Sequence, residues 1–258
     1  MTSINPDWWK TLFDETYLIT DARSVCDDDV TCLEVDFLEQ ALGLKKAEPI
    51  LDLCGGQGRH SLELSRRGFT DVTVLDYSQY LINRGRKAAS KEGRGVQFIR
   101  GDARDSGLPD QAYRFIFVMA NSFGYFVDEK EDERLLREAF RLLMPQAFLL
   151  LDLTNRDYVL KNFSPHTWHE ANDEIVVCRQ RSLENDLIIG REVVISKERG
   201  LIRDESYCAR LYSDKKISEL LHAVGFRSIT IQKDFVSHTK KSDYGCMNNR
   251  MIVTAQRP

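Results

Sequence analysis

The hydrophobic and polar positions of this chain follow two rhythms. Up to about residue 155, short apolar runs alternate with segments of helical spacing. The runs are Ile50–Leu53, Val72–Leu75, Val96–Arg100, Arg114–Met119 and Phe148–Leu153. The segments between them predict helices at Arg59–Arg67, stopped by Gly68, at a stretch capped by Ser78 and running to about Lys91, and at Lys130–Leu143, stopped at Pro145. Strands alternating with helices predict an α/β fold with a parallel sheet. The fifth run is nearly all apolar, as a central strand buried on both faces requires.

Ahead of the first strand lies a helical lead-in, residues 1–48. Trp8, Trp9, Leu12 and Phe13 fall at helical spacing and form an apolar stripe expected to pack on the main domain. A polar loop is expected from Thr20 to Val30, then a helix over Leu33–Leu44 with Leu33, Phe37, Leu38 and Leu42 as its buried face and Gly43 near its end. After Asn155 the rhythm changes. Glu174–Arg181, Leu187–Lys197 and Ile202–Tyr212 read as β-runs separated by Glu184-Asn185-Asp186 and Arg199-Gly200. They predict a small antiparallel sheet, residues 157–212, inserted after the fifth strand and placed to roof the carboxyl edge of the parallel sheet. A helix over Asp214–Val224, a strand over Ser228–Lys233, a polar stretch from His238 to Asn249 and a last strand over Met251–Ala255 complete the core, residues 49–156 and 213–258.

Composition narrows the class. Hydrophobic residues at 42% and charged residues at 29% are ordinary for a soluble globular protein. A net charge of −4 carries no electrostatic footprint for nucleic acid. No apolar run approaches the ~20 residues that span a bilayer, and the start, MTSINPDWWK, lacks the pattern of a secretory signal. Cys26, Cys32, Cys54, Cys178, Cys208 and Cys246 are scattered without a CxxC pair. That favours free thiols in a reducing cytoplasm over disulfides or a zinc site.

The chemistry concentrates at strand ends. The first strand runs into a glycine-rich turn in which Gly55, Gly56 and Gly58 let a ligand lie against the main chain, before a helix start presents backbone N–H groups. Asp76 ends the second strand, 18 positions after Gly58, close to the ~20 that separate a nucleotide-binding turn from the carboxylate that grips ribose hydroxyls. At the third strand end, the Asp102 carboxylate can accept from an exocyclic amine and the Ala103 N–H can donate to a ring nitrogen, a pair that reads adenine. The loop Ala120–Phe126 after the fourth strand is aromatic and hinged on Gly124, where an open α/β sheet keeps its ligand.

Together these residues resemble a class I S-adenosylmethionine-dependent methyltransferase of the small-molecule type. The matching motifs are LDLCGGQG at 51–58, VLDYS at 74–78, GDA at 101–103 and MANSFGYF at 119–126; the ending ISELLHAVGF, SITIQ, MIVTAQRP is similar to that family's finish. The resemblance spans roughly Glu34 to Pro258. It implies a Rossmann-like seven-stranded sheet, mostly parallel with its last strand antiparallel, and helices on both faces. It also implies roles. Cys54, Gly55 and Gly56, with Gly58 nearby, would hold the methionine end of S-adenosylmethionine, and Asp52 would anchor the turn. Asp76 would take the ribose, Tyr77 would lie beside the adenine, and Asp102 and Ala103 would read its edge. Ala120 would lie near the methionine portion, and Tyr17 would cover the cofactor. Cys54 departs from the pattern, since it stands where the family's first glycine is usual; its small size is kept.

The activity so implied is methyl transfer to a small-molecule acceptor with release of S-adenosylhomocysteine, by a monomer or homodimer. Tyr125, His169 and Asp152 are the candidates for a base, and each has a plainer role as pocket wall, loop histidine or strand-end cap. Three other readings stay open: a methyltransferase acting on tRNA or protein, a dinucleotide-dependent oxidoreductase, and a non-catalytic cofactor-binding module. The oxidoreductase reading is weakened because Gly56-x-Gly58-x-x-Ser61 lacks the third glycine.

Overall fold

A computed structural model of the protein describes residues 4–236 and 249–258. Seven strands form one sheet: β1 (Ile50–Leu53), β2 (Val72–Asp76), β3 (Gln97–Arg100), β4 (Tyr113–Val118), β5 (Leu143–Thr154), β10 (Arg227–Phe235) and β11 (Arg250–Gln256). Their order is β10-β11-β5-β4-β1-β2-β3. The first five pair in parallel, and β11 is antiparallel to both of its neighbours, β5 and β10. This is the expected Rossmann-like architecture with its reversed last strand. Most of the polar stretch expected at His238 to Asn249, and Cys246 within it, lies outside the described residues.

The two faces of the sheet follow strand alternation. Leu51, Leu53, Ile116, Val118, Leu149 and Leu151 pack with Leu135, Leu136 and Ala139 of α6 (Glu129–Leu142) and with Ile217 and Leu221 of α8 (Asp214–Val224). On the opposite face, Ile50, Phe115, Phe117 and Leu150 meet Val35 and Leu38 of α3 (Asp28–Leu42) and Leu64 of α4 (Arg59–Arg66), while Val74 and Phe98 meet Ile82 of α5 (Gln79–Glu92). Helix α6 ends at Leu142, and Leu143 is already extended, so the chain leaves the helix before Pro145 forces it to.

The amino-terminal segment differs from its sequence pattern. The stretch expected as a polar loop, Thr20 to Val30, is largely helical: it holds the last residue of α1 (Glu15–Thr20), all of α2 (Ala22–Val25) and the start of α3 at Asp28. The aspartates are helix-start signals: Asp14 accepts from the Tyr17 N–H, Asp27 from the Val30 N–H, and Asp28 and Asp29 lie in the first turn, where the helix dipole favours negative charge. The longer helix turns its face away from Leu33, which is 39% exposed, and buries Val30, Glu34, Val35, Leu38 and Leu42. Trp8 and Trp9 sit in a single 3-10 turn rather than on a helix stripe. Both are buried, with Trp8 against Tyr125 and Trp9 edge-on to Tyr77.

Between β5 and α8 the chain adds α7 (Arg156–Lys161) and a four-stranded antiparallel sheet ordered β6-β7-β8-β9. Three of its strands match the β-runs: β7 (Ile175–Glu184), β8 (Leu187–Ser196) and β9 (Gly200–Arg210). The fourth, β6 (His166–Glu170), runs through a stretch expected to be loop. Asn185 and Asp186 both take positive φ, 49° and 66°, as a tight hairpin turn between right-twisted strands requires. The Arg210 N–H donates to the Gly124 carbonyl at 2.7 Å, and its guanidinium to the carbonyls of Phe126 and Val127. Arg179 pairs with Asp21, Arg203 pairs with Asp14, and His169 meets the Thr20 carbonyl. The inserted sheet is thereby joined to both the strand-four loop and the amino-terminal helices. Among the described residues no helix is long and apolar enough to cross a membrane.

Candidate active site

The carboxyl ends of β1 to β4 open into one cavity. Its lining includes Tyr17, Asp52, Cys54, Gly55, Gly56, Asp76, Tyr77, Asp102, Ala103, Ala120 and Tyr125, which the sequence placed in separate motifs. Gly58 is not in the lining. A side chain there would stand 2.6 Å from the Phe98 ring, so this glycine lets α4 approach the sheet. Gly55 is required for another reason, because a Cβ would lie 2.5 Å from the Asp52 carboxyl carbon. Cys54 has φ 62°, which explains the usual glycine at its position by backbone conformation as well as size. Burial, with Asp76, Asp52 and Asp102 nearby, pushes the Cys54 thiol well up, so it is no nucleophile at neutral pH.

Asp76 is held from two sides. The Gly56 N–H donates to Oδ2 and the Ser78 N–H to Oδ1, each at 2.8 Å. The carboxylate thus ties the glycine turn to the end of β2, and each oxygen keeps a second acceptor site. Asp102 is gripped by Arg104, whose Nε donates to Oδ1 at 2.9 Å and Nη2 to Oδ2 at 2.6 Å. Although desolvation by burial pushes the other way, Arg104 leaves the carboxyl of Asp102 below its ordinary range. Arg104 in turn lies over the rings of Trp9 and Phe126.

Asp52 lies beneath the turn, fully buried, with Oδ2 accepting from Ser61 at 2.8 Å. Desolvation pushes its carboxyl from 3.8 up to about 7, against the lowering by Ser61 and Arg59. Between those pH values the unfolded chain has released a proton that the folded chain still holds, so stability falls as pH rises through this window. Asp52→Asn has no such titration. Its stability relative to the unaltered protein is therefore expected to improve from pH 4 to about pH 7 and then level off, as read by urea unfolding at a series of pH values. A constant difference would contradict the burial argument.

A second cavity adjoins the first and shares Phe13, Tyr17, Arg59, Ala120 and Tyr125 with it. Its roof is the inner face of the inserted sheet, with Arg179, Arg181, Ile188, Glu192, Tyr207 and Ala209. Phe13 and Tyr125 stack at 5.7 Å where the two cavities meet. Burial pushes the Tyr125 phenol well up, and burial with Asp21 and Tyr125 nearby does the same to Tyr17. Both stay neutral and protonated at neutral pH, so Tyr125 is suited to be a wall or donor rather than a base.

The other two base candidates stand outside both linings. His169 lies on β6, where its Nε2 is 3.1 Å from the Thr20 carbonyl and links sheet to helix. His169→Ala is expected to keep kcat/KM within about threefold, since a residue remote from the reacting groups removes no transition-state contact; a steady-state assay checks this. Asp152 is buried beneath the strand-four loop, accepting from the Ala120 N–H at 2.8 Å and the Arg250 guanidinium at 2.6 Å. Arg250 also pairs with Glu34, whose other oxygen takes Arg59 at 2.5 Å and His60 at 2.8 Å. His60 is pushed down to about 4, mainly by burial, and is neutral there.

Residues 50–146 match the methyltransferase-domain family. The chain is also 26% identical over 216 residues to a glycine/sarcosine N-methyltransferase of Halorhodospira halochloris, covering 81% of this chain and 77% of that one. The protein is an S-adenosylmethionine-dependent methyltransferase, with its family match in residues 50–146. Solved structures show the same fold. One is an S-adenosylmethionine-dependent methyltransferase from Clostridium acetobutylicum, with a TM-score of 0.72 at 15% identity, covering 93% of this chain and 96% of that one. Another is a sugar N-methyltransferase from Streptoalloteichus sp., with a TM-score of 0.66 at 16% identity, covering 100% and 97%. The family match removes the oxidoreductase and non-catalytic readings.

The methyltransferase uses S-adenosylmethionine, and the first cavity fits that group. It sets an acidic pair at neighbouring strand ends, exposes backbone at Cys54–Gly56, and gives Tyr77 and Trp9 as an apolar wall. Several lining residues were not singled out from sequence: Trp9, Phe13, Gln57, Arg59 and His60. Gln57 sits inside the glycine motif and Arg59 and His60 follow it in the first turn of α4, so all three could have been found by asking where that turn points. Trp9 and Phe13 read as ordinary apolar packing. Among the described residues, no group of three or more His, Cys, Asp or Glu side chains is placed to hold a metal.

Proposed function

We propose that this methyltransferase acts on a small-molecule amine bound in the second cavity, beneath the inserted sheet. The observation that carries this reading is the meeting of the two cavities at Tyr17, Ala120 and Tyr125. An acceptor under the sheet then faces the methyl donor across that opening. The amino-terminal helices and the inserted sheet act as the cover, and residues 49–156 with 213–258 as the cofactor-binding core. The likeness to glycine/sarcosine and sugar N-methyltransferases supports nitrogen as the accepting atom.

The roles proposed in the first cavity are those the family resemblance implies, and their residues line that one cavity. The backbone of Cys54–Gly56 and Ala120 holds the methionine end, Asp76 the ribose hydroxyls, and Tyr77, Asp102 and Ala103 the adenine. Asp52 fixes the turn through Ser61, and Tyr17 closes the cavity from the amino-terminal side. The sulfonium of the cofactor supplies an electrophilic methyl group. The protein has to align the nucleophile and exclude water. The rings of Tyr17 and Tyr125 at the junction present π-faces that favour a cation. The attacking form is the neutral amine; an amine that is mostly ammonium at neutral pH gives its proton to solvent before transfer, and its freed lone pair then takes the methyl group as the sulfonium C–S bond breaks.

The test is S-adenosylhomocysteine release, followed with a panel of small amines and aminosugars, and separately with tRNA and protein. Product with a small amine supports the reading. Product with tRNA or protein alone overturns it.

A further inference from the structure

We propose that the acceptor carries a carboxylate and that Arg181 binds it. This rests on the small-molecule reading above. The charge balance of the second cavity and the way the inserted sheet builds its roof carry it.

The carboxylates in the cavity wall are all committed. Asp21 pairs with Arg179 at 2.8 Å. Glu192 is shared between Arg179 and Arg203, and Glu34 between Arg59 and Arg250. Arg181 lines the same cavity, and among the described residues no carboxylate pairs with it. Its bonds go to neutral hydroxyls: Nε donates to Tyr207 at 3.3 Å and Nη1 to Thr167 at 3.1 Å. Neither bond uses Nη2. A half-buried guanidinium without an anion is an unbalanced charge, and its planar fork matches a carboxylate in geometry.

The position of Arg181 is built rather than incidental. Arg181 faces Gly190 across β7 and β8, and Gly190 faces Tyr207 across β8 and β9. The three residues form one row. A Cβ at position 190 would lie 2.3 Å from the Tyr207 ring, so the glycine lets that ring lie across the middle strand and bring its hydroxyl under Arg181. Arg181 and the junction residues Tyr17 and Tyr125 line one cavity, so an anion on the roof and an amine at the junction would share that space.

The test compares the unaltered protein with Arg181→Gln, Arg181→Lys and Tyr207→Phe. The probes are glycine, sarcosine and the other neutral and acidic amino acids, set against glycinamide, ethanolamine and glucosamine. The readouts are kcat and KM for S-adenosylhomocysteine formation, and calorimetric binding of each probe to the S-adenosylhomocysteine-loaded protein. The expected result is binding and turnover of carboxylate-bearing amines. In Arg181→Gln their KM should rise about ten- to hundredfold, as loss of hydrogen bonds between charged groups implies, with kcat little changed. Lysine should rescue part of the loss, Tyr207→Phe should give a smaller rise, and affinity for S-adenosylhomocysteine should be unchanged in all three.

Turnover of glucosamine or ethanolamine with no preference for carboxylates would overturn the inference and leave the small-molecule reading intact. So would a KM in Arg181→Gln within about twofold of the unaltered protein. Binding of none of the carboxylate probes also overturns it. If, in addition, only tRNA or protein is methylated, the wider reading falls with it.

Discussion

Arg250→Ala is expected to cost about 3–5 kcal/mol of folding stability, the range found when one partner of a buried ion pair is removed. Arg250 is fully buried at the start of β11 and joins Glu34 of α3 to Asp152 of β5. Without it, Glu34 keeps Arg59 at 2.5 Å, but Asp152 loses its guanidinium. Burial already pushes the Asp152 carboxyl from 3.8 to about 6 despite Arg250, and removal of the arginine raises it further. A folded-state value above the unfolded one means that stability falls as pH rises through the window between them. The deficit of Arg250→Ala should accordingly be larger at pH 8 than at pH 5, where Asp152 can stay protonated. Arg250→Met fills much of the volume and leaves the same bare carboxylate, so it should also destabilise; the double variant Arg250→Met, Asp152→Asn should recover part of the loss. Urea unfolding at two pH values measures all of this. A deficit under about 1 kcal/mol, the scale of an exposed pair, would show that the network contributes little.

The network also bears on activity. Asp152 holds the Ala120 N–H, and Ala120 lines both cavities at φ 56°. Non-glycine residues take this conformation only where the surroundings impose it. Arg250 therefore positions the strand-four loop through Asp152, without itself lining either cavity.

The glycine turn, Asp76 and Asp102 were legible because each motif is local and its spacing reflects one βα unit. The seven-stranded sheet was legible because buried parallel strands read as apolar runs. The ion network was not, because Glu34 and Arg250 are 216 positions apart and nothing local marks either as buried. Nor was β6: its residues alternate between exposed and half-buried, with Trp168 71% exposed, so it carries no apolar stripe. The row of Arg181, Gly190 and Tyr207 depends on strand register, which the β-runs alone do not fix. At Cys54 the sequence shows a small side chain where glycine is usual, but the positive φ appears only in three dimensions. Local chemistry was thus readable in the first cavity, while the second is assembled from distant residues.

Asp76→Ala is expected to weaken S-adenosylhomocysteine binding about a hundredfold, equivalent to about 2.7 kcal/mol. Two charge-assisted hydrogen bonds to the ribose would be lost, each contributing roughly 1.5–3 kcal/mol, with part of that offset by water entering the space. The substitution also leaves the Gly56 and Ser78 N–H groups without the acceptors they now have at 2.8 Å, so a looser turn alone could weaken binding. A cofactor analogue without the 2′- and 3′-hydroxyls separates the two effects. The unaltered protein should bind that analogue far less tightly than S-adenosylhomocysteine, whereas Asp76→Ala should bind the two almost equally, because the group that distinguishes them is gone. The difference between these differences isolates the ribose contact from the state of the turn. If Asp76→Ala discriminates between the two ligands as well as the unaltered protein does, Asp76 acts only by tying Gly56 to the end of β2, and the ribose is held by other groups.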